Sequence, residues 1–366
     1  WVMQKANTSG GVIPWIKLLN DTAIAVNQGG RRAGAVTVSL DIWHLDVPEF
    51  LECQTENGDQ RRKAYDIFPQ LVISDEFMRR VVNGQRWTLV DPYEVRTQLG
   101  IELAECWGEN FDRAYAEIEA NLDCQITLYK QVNARELFKT IMRSQLETGM
   151  PYLAFKDTIN RANPNQHEGY IPGVNLCCES FSNVKPGIEA HCCNLNSINL
   201  ANIEETELAS LCETAVRMLD NTLDLTHPPF EAAKNHNNRY RTIGVGVMGL
   251  ADWLAKRHLS YKERDLPKIG YLFEDIGYAC TRASMELAKE RGAYAAFPGS
   301  EWSKGHLIGA KPIAWFEQNA QQAERWVQLS QDIQTYGIRN SHITAIAPNT
   351  SSSLVQGCTA SVLPVY

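Results

Sequence analysis

The chain has one short segment whose residue types suit redox chemistry on a hydroxylated substrate. Asn175-Leu176-Cys177-Cys178-Glu179 places an amide, a thiol and a carboxylate close together. If this segment is extended, its side chains alternate between two sides, so Asn175, Cys177 and Glu179 project together while Cys178 faces away. A carboxylate can take a hydroxyl proton, an amide can hold a neighbouring oxygen, and a thiol can supply redox or nucleophilic reactivity.

A second pair of thiols, Cys192-Cys193, follows before Asn194-Leu195. Reducing a carbon–oxygen bond requires two electrons, which a dithiol can deliver while it closes a disulfide. A zinc site formed with Cys177 and Cys178 is the rival interpretation. It is disfavoured because zinc ligands are usually spaced by two to four residues, whereas adjacent cysteines on a strand point apart. We therefore predict no metal site.

Two further motifs could contact a nucleotide. The polar loop Pro348–Ser353 follows an apolar stretch, and the start of a helix there would form an anion site; a solvated serine-rich turn is the alternative. Residues 244–249 fit the dinucleotide pattern GxGxxG, but only Thr242-Ile243 precede it as an apolar approach. Close backbone packing is the favoured use of these glycines, and no NAD is assigned.

Apolar periodicity and turn residues predict an α/β protein. Helices are expected over 13–25, 47–53, 75–83, 111–121, 134–148, 203–222 and 273–291, and strands over 33–40 and 343–347. The absence of repeats and linkers predicts a single domain over residues 1–366. Trp43 and His44 are interpreted as structural, whereas Arg31 and Arg32 either approach a nucleotide or lie in a solvated turn.

Composition excludes several classes of protein. The chain has 366 residues, 44% hydrophobic and 21% charged, with a net charge of −8. These fractions are typical of globular proteins, and the negative net charge argues against binding to duplex nucleic acid. We find no apolar run long enough to span a membrane and no signal-peptide pattern.

Ten irregularly spaced cysteines indicate reduced thiols and a cytoplasmic location. Five of them are expected to be packing residues: Cys53, Cys106, Cys124, Cys212 and Cys280.

Residues 175–179 and 193–195 have the patterns Asn-x-Cys-x-Glu and Cys-Asn-Leu. In both patterns the chain resembles the catalytic loop of the large subunit of class I ribonucleotide reductase. Similar segments extend over almost the whole chain, at 10–15, 27–35, 43–46, 147–152, 156–157, 244–252 and 336–341. The start at Trp1 and the place where the resemblance begins suggest a piece of a longer protein, and Trp1–Ser9 need not be continuous with Gly10.

The resemblance implies roles for individual residues. Cys177 would become a thiyl radical that abstracts the ribose 3′ hydrogen, Glu179 would be the general base on the 3′ hydroxyl, and Asn175 would bind the sugar hydroxyls. Cys193 would be one of two reducing thiols, with its partner upstream in sequence that this chain lacks. The substrate diphosphate would be held by hydroxyls of the polar loop: Thr350, Ser351, Ser352 and Ser353.

The same resemblance implies an architecture and partners. It predicts a ten-stranded α/β barrel of two five-stranded parallel halves, with the cysteine loop buried at its centre and protected from solvent. The substrate would be a ribonucleoside diphosphate, with no cofactor bound directly. A metal-containing small subunit would supply the radical, a thioredoxin- or glutaredoxin-like protein the electrons, and nucleoside triphosphates the allosteric control of a homodimer.

Two alternatives remain open. An adenosylcobalamin-dependent reductase is the nearest, although that class more often shows Pro-Cys-Gly-Glu where this chain has Leu176-Cys177-Cys178-Glu179. The other is a nucleotide-binding fragment that is inactive without a partner chain.

Overall fold

The computed structural model describes residues 10–27, 29–31 and 33–365. The chain divides after Asn160 into two compact units. The expectations for Trp1–Ser9 and Arg32 lie outside the described residues, and the single domain over residues 1–366 stays a prediction.

The first unit contains two small sheets and their helices. Its elements are α1 (Ile13–Ala25), β1 (Thr37–Asp41), α2 (Val47–Glu52), β2 (Phe68–Ile73), α3 (Asp75–Asn83), β3 (Arg86–Val90), α4 (Pro92–Leu99), α5 (Gly108–Ala120), β4 (Tyr129–Asn133), α6 (Ala134–Thr148), β5 (Tyr152–Phe155) and α7 (Lys156–Arg161). Strands β1, β2 and β5 are parallel in that order, whereas β3 and β4 are antiparallel.

Local signals in the sequence fix the ends of these helices. The side chain of Asn133 accepts hydrogen bonds from the backbone N–H groups of Arg135 and Glu136, and Gly149 follows α6 with φ of 78°. An N-cap amide and a left-handed glycine are the usual signals for a helix start and stop. The predictions of helices over 13–25, 75–83 and 134–148 are confirmed.

Trp43 and His44 belong to the packing of the first unit, as predicted. Trp43 is buried, and His44 Nδ1 accepts a hydrogen bond from the backbone N–H of Asp46 at 3.0 Å. Burial lowers the pKa of His44 to about 4, so the ring is neutral at pH 7. Arg31 is exposed, which fits the solvated turn.

The second unit carries the cysteine pairs. Its elements are β6 (Leu195–Asn199), α8 (Leu208–Leu225), α9 (Glu231–Tyr240), β7 (Gly244–Met248), α10 (Leu250–Lys256), α11 (Leu266–Arg291), α12 (Ile313–Asn319), α13 (Ala323–Tyr336) and α14 (Thr350–Gln356). The predicted start of α8 lies five residues too early, because a 3₁₀ turn over Glu205–Glu207 precedes the helix, and the predicted start of α11 lies seven residues too late.

Three of the five cysteines that were expected to be packing residues are buried. Cys53, Cys212 and Cys280 are buried, and the last two hydrogen-bond each other between α8 and α11. Cys106 is half-buried, whereas Cys124 is exposed. The packing prediction for Cys124 was therefore wrong, because this residue lies in an exposed turn beside Asp123, which has φ of 63°.

Three extended segments run parallel through the second unit. Strand β6 pairs with β7 from Leu195 opposite Gly244 to Asn199 opposite Met248. Beyond β7, Thr344 forms a single parallel bridge with Val245. The strand predicted over 343–347 is therefore reduced to this bridge.

The described strands lie in three separate sheets and do not close into a barrel. The α/β class and the parallel pairing are confirmed. Among the described helices none is both long and apolar enough to cross a membrane.

The glycines of the GxGxxG pattern allow this close pairing. A Cβ atom built on Gly244 would lie 2.4 Å from the Leu195 side chain, and one on Gly246 would lie 2.3 Å from the carbonyl oxygen of Ala345. Both glycines lie within β7, instead of in a turn from a strand to a helix. The interpretation of these residues as close backbone packing is confirmed.

We expect Gly246→Ala to destabilise the protein by about 1–3 kcal/mol, because the carbonyl of Ala345 belongs to the backbone and cannot move aside alone. Chemical denaturation measures the loss. Gly270→Ala in α11 is the matched control, since a Cβ there meets nothing within 4 Å and alanine is the better helix former. Equal stability of the two variants would contradict the packing role of Gly246.

Candidate active site

The segment around Cys177 forms a tight turn. The backbone N–H of Cys178 donates to the carbonyl of Asn175 at 3.0 Å, and the N–H of Asn175 donates to the carbonyl of Ser180 at 3.1 Å. Cys178 has φ of 64°, in the left-handed region. The prediction of an extended segment was therefore wrong, and the alternation of side chains does not explain which of them meet.

The side chain of Asn175 closes this turn. Its Oδ1 accepts the backbone N–H groups of Glu179 at 3.0 Å and Ser180 at 2.9 Å. Asparagine side chains commonly compete with regular structure in this way, by bonding to nearby backbone groups. The amide oxygen of Asn175, a side chain that was predicted to bind substrate, is therefore used to stabilise the loop.

The amide nitrogen of Asn175 contacts a carboxylate and a thiol. Asn175 Nδ2 donates to Glu179 Oε2 at 2.7 Å and lies 3.8 Å from the sulfur of Cys193. Cys177 lies close enough for the charges of Glu179 and Cys193 to affect its ionisation. The structure therefore brings together Asn175, Cys177, Glu179 and Cys193.

The pKa values of the Cys177 and Cys193 thiols are both raised. Loss of hydration is the main cause that raises the pKa of Cys177, and the negative charge of Glu179 raises it further. Partial loss of hydration also raises the pKa of Cys193, while the nearby polar side chains of Ser180 and Asn175 lower it. Since an unperturbed cysteine already titrates above pH 8, both are thiols at neutral pH. A thiol carries the hydrogen atom that radical chemistry transfers.

The burial predicted for this loop is not found among the described residues. Cys177, Cys178 and Cys193 are exposed, whereas Cys192 is half-buried. Asn175 and Glu179 are half-buried. Within the part of the chain that the structure describes, no group of three His, Cys, Asp or Glu residues is arranged to hold a metal ion.

Three histidines, His191, His236 and His342, form a cluster next to the loop, and they were not predicted from the sequence. The rings of His191 and His236 are 5.0 Å apart, and the proximity of His191 and His342 lowers the pKa of His236. Burial is the main cause that lowers the pKa of His191 to about 4 and those of His236 and His342 to about 3. Only the adjacency of His191 to Cys192 could have indicated this cluster.

The predicted phosphate loop forms the start of α14. Asn349 Nδ2 donates to Ser197 Oγ at 3.0 Å and to the carbonyl of Val247 at 3.2 Å, so the loop is attached to the middle of β6 and near the carboxyl end of β7. Thr350, Ser351 and Ser352 are exposed. Ser353 is buried, and its hydroxyl donates to the carbonyl of Thr350 at 2.8 Å.

Strand β6 therefore separates the two predicted parts of the site. Cys193 lies two residues before β6 begins, whereas Ser197, whose hydroxyl accepts a hydrogen bond from Asn349, is the central residue of the strand. These positions are four residues apart, or about 13 Å along an extended chain. The structure does not bring the loop hydroxyls into contact with the thiols, and a bound molecule in contact with both would have to extend along this strand.

Comparisons with known proteins show which family this chain resembles. Residues 1–366 match the family model of the ribonucleotide reductase barrel domain. The chain is 75% identical over 366 residues to the ribonucleoside-diphosphate reductase subunit alpha of Synechocystis, covering 100% of this chain and 48% of that protein. It is 37% identical over 393 residues to the subunit alpha of Treponema pallidum, covering 98% and 44%. With the large subunit of Caenorhabditis elegans it shares 38% over 368 residues, covering 98% and 45%. The chain thus spans about half the length of the curated relatives it matches.

The neutral histidine cluster predicts a loss of stability in acid. Its pKa values are lower in the folded chain than the unfolded value of about 6.5, so the stabilisation is complete above that pH and is lost as the pH falls toward 4. His236→Phe keeps an aromatic ring but takes up no proton. We expect it to reduce the pH dependence of the unfolding free energy by about 1.4 kcal/mol per pH unit between pH 6 and 4.5.

Denaturant unfolding at a series of pH values measures this slope. His227→Phe, at an exposed position after α8, is the control and should leave the slope unchanged. The same slope in the parent protein and in His236→Phe would show that the cluster is not the source of the acid sensitivity.

Proposed function

The chain belongs to the ribonucleotide reductase family, and we propose that it carries the part of a ribonucleoside-diphosphate reductase large subunit in which the ribose is reduced. The observation that supports this most directly is the hydrogen bonding of Asn175 to both Glu179 and Cys193, with Cys177 adjacent. An acid, an amide and two thiols then face one small volume, as reduction of a sugar at its 2′ carbon requires.

In the proposed reaction, a radical from a separate metal-containing small subunit converts Cys177 to a thiyl radical. Cys177 takes the 3′ hydrogen atom of the ribose, and Glu179 takes the proton of the 3′ hydroxyl. The 2′ hydroxyl then leaves as water, with a proton that comes from the reducing thiols. The raised pKa of the Cys177 thiol supports this role, because a neutral thiol can give and regain a hydrogen atom whereas a thiolate cannot.

Cys193 supplies reducing equivalents in this proposal. Two electrons come from Cys193 and a second cysteine as they form a disulfide, and a thioredoxin- or glutaredoxin-like protein would later reduce it. The contact with Asn175 places the Cys193 sulfur beside the proposed base. The second cysteine is assigned to a part of the subunit upstream of this chain.

For the substrate phosphates we propose the exposed start of α14, with Thr350, Ser351, Ser352 and the neighbouring Ser353. The first three have hydroxyls accessible to a ligand, whereas the Ser353 hydroxyl is already bonded within the helix. Asn349 supports the proposal by fixing the loop to two strands before any ligand arrives.

We further propose the ten-stranded barrel of the family, in a cytoplasmic homodimer regulated by nucleoside triphosphates. Parallel strands in both units, β1-β2-β5 in one and β6-β7 in the other, support two parallel halves. The relatives are named as alpha or large subunits, which supports a partner small subunit. The resemblance to class I enzymes favours this radical source over adenosylcobalamin, and an absorption spectrum of the purified enzyme would reveal bound cobalamin.

Cys177→Ser should abolish formation of deoxyribonucleotide, because a serine hydroxyl cannot form the radical. The assay uses the complete large subunit with its small subunit, a ribonucleoside diphosphate and a dithiol reductant. Cys178→Ser is the matched control and should retain the parental rate, since we assign that thiol no role. Parental activity in Cys177→Ser would refute the proposed function.

Glu179→Gln should lower kcat by roughly 10²–10⁴-fold, which is the usual contribution of a general base. Glutamine keeps the size of the side chain but cannot take the 3′ hydroxyl proton. A rate within a factor of three of the parent would exclude Glu179 as the base, even if Cys177 proves essential.

Ser351→Ala together with Ser352→Ala should raise KM for the diphosphate by roughly tenfold or more, because each removes a hydrogen bond to a charged group. The effect on kcat should be smaller, since the hydroxyls lie away from the thiols. Ser210→Ala, which removes an exposed hydroxyl at the start of α8, is the control. An unchanged KM in the double variant would show that these two hydroxyls do not bind the substrate phosphates.

A further inference from the structure

The residues that follow α14 return to the strands from which that helix starts. Gly357, with φ of 65°, ends the helix, and the backbone N–H of Ser361 then donates to Asn349 Oδ1 at 2.8 Å. Because Asn349 Nδ2 already donates to groups of β6 and β7, one carboxamide joins both ends of this segment to the strands. We call residues 349–361 the closed loop. It contains the hydroxyls that are proposed to bind the substrate phosphates.

Thr359 attaches the closed loop to a second element. Its backbone N–H and its hydroxyl donate to Asp252 Oδ2 at 2.7 and 2.8 Å, and its carbonyl accepts the N–H of Gly249 at 2.7 Å. Gly249 joins β7 to α10, and Asp252 lies in the first turn of that helix. The backbone groups and the hydroxyl of Thr359 are therefore all held by the short stretch of chain that begins α10.

Asp252 is the charged member of these contacts. A hydrogen bond to a carboxylate is stronger than one between neutral groups, and here one carboxylate oxygen receives two of them from the same residue. Asp252 is half-buried, so water competes less for its oxygen than at an exposed site. Removal of the carboxylate would leave one of the three hydrogen bonds that hold Thr359.

The backbone beyond Thr359 has a conformation that its surroundings must maintain. Ser361 has φ of 52° and is buried, and residues other than glycine are uncommon in this left-handed region. The hydroxyl of Tyr261 donates to the carbonyls of Val362 and Leu363, at 3.1 and 3.0 Å. Ser361 thus lies between two attached positions, and the hydrogen bond that closes the loop depends on both of them.

We propose that Asp252 is a positioning residue for the substrate phosphates, which acts through Thr359 without touching the substrate. Asn349 fixes the first residue of the closed loop, and Asp252 fixes its returning half. The hydroxyls at the start of α14 lie between these two attachments, so they are in place before a ligand arrives. This role rests on the proposed function, because it assumes that those hydroxyls bind the diphosphate.

The expected effect of losing Asp252 is on substrate binding. A ligand binds more weakly when it must first order the loop that holds it, so KM should rise. The chemical step should change little, because the hydroxyls lie away from the thiols. Removal of a negative charge by itself favours the binding of an anionic substrate. A higher KM in a neutral variant therefore reports the lost hydrogen bonds and not the lost charge.

Asp252→Ala should raise KM for a ribonucleoside diphosphate by roughly five- to tenfold, with little change in kcat, in the complete large subunit assayed with its small subunit. Thr359→Val keeps the backbone donor but loses the hydroxyl, and it should have a smaller effect in the same direction. Thr359→Ser keeps the hydroxyl and should restore the parental KM. Glu213→Ala, which removes an exposed carboxylate of α8, is the matched control and should leave KM unchanged.

Hydrogen exchange measured by mass spectrometry tests the attachment without turnover. The amides of Cys358 and Ser361 report on it, because they donate to Ser353 and Asn349 within the closed loop. Asp252→Ala should accelerate their exchange by roughly tenfold or more, since local opening determines the rate. The double variant Asp252→Ala with Thr359→Val should resemble Asp252→Ala alone, because the hydroxyl acts through the carboxylate.

Unchanged exchange in Asp252→Ala, or faster exchange with an unchanged KM, would overturn the proposal. Losses that add in full in the double variant would also overturn it, because the two side chains would then act separately. If Asp252→Ala does not fold, the comparison of Thr359→Val with Thr359→Ser decides the question.

The positioning role and the proposed function fail in different ways. A parent enzyme that forms no deoxyribonucleotide would refute the proposed function, whereas binding of the diphosphate to the parent and to Asp252→Ala, measured by equilibrium dialysis, would still decide the role of Asp252. Normal turnover with unchanged KM and exchange in the variant would refute only that role.

Discussion

The candidate site depends on the carboxamide of Asn175. One end of this group accepts two backbone N–H groups and closes the loop, and the other end donates to Glu179 and lies beside Cys193. The side chain that shapes the loop is therefore also the one that brings the acid to the sulfur. Loss of the amide would release the backbone and the chemical groups together, since nothing separates its structural role from its positioning role.

Much of the site could be predicted from residue types, but its conformation could not. The grouping of Asn175, Cys177 and Glu179 was expected from alternation along a strand, and the structure groups them through a turn instead. Side chains two residues apart can meet in either conformation, so spacing alone does not distinguish them. The hydrogen bonds of Asn175 to residues four and five positions later decide the turn, and they compete locally with extended structure.

Helices were predicted best where local signals bound them. Helix α6 has its predicted limits because Asn133 and Gly149 cap it, whereas the start of α8 was misplaced where a 3₁₀ turn leads into the helix. The histidine cluster escaped prediction for a different reason. His191, His236 and His342 come from separate segments of the chain, and their neutrality arises from burial that no local pattern encodes.

The pairing of β6 with β7 has a consequence for the distance between the thiols and the loop held by Asn349. A shift of this pairing by two residues would leave every side chain on its original face, so hydrophobic patterning alone does not forbid it. It would nevertheless displace Cys193 by about 7 Å relative to the neighbouring strand. Leu195 fills the space above Gly244, where any larger residue would collide with it. Gly244, which has no side chain, therefore helps to fix the register of the sheet, and so sets how far Cys193 lies from the loop that Asn349 attaches to β7.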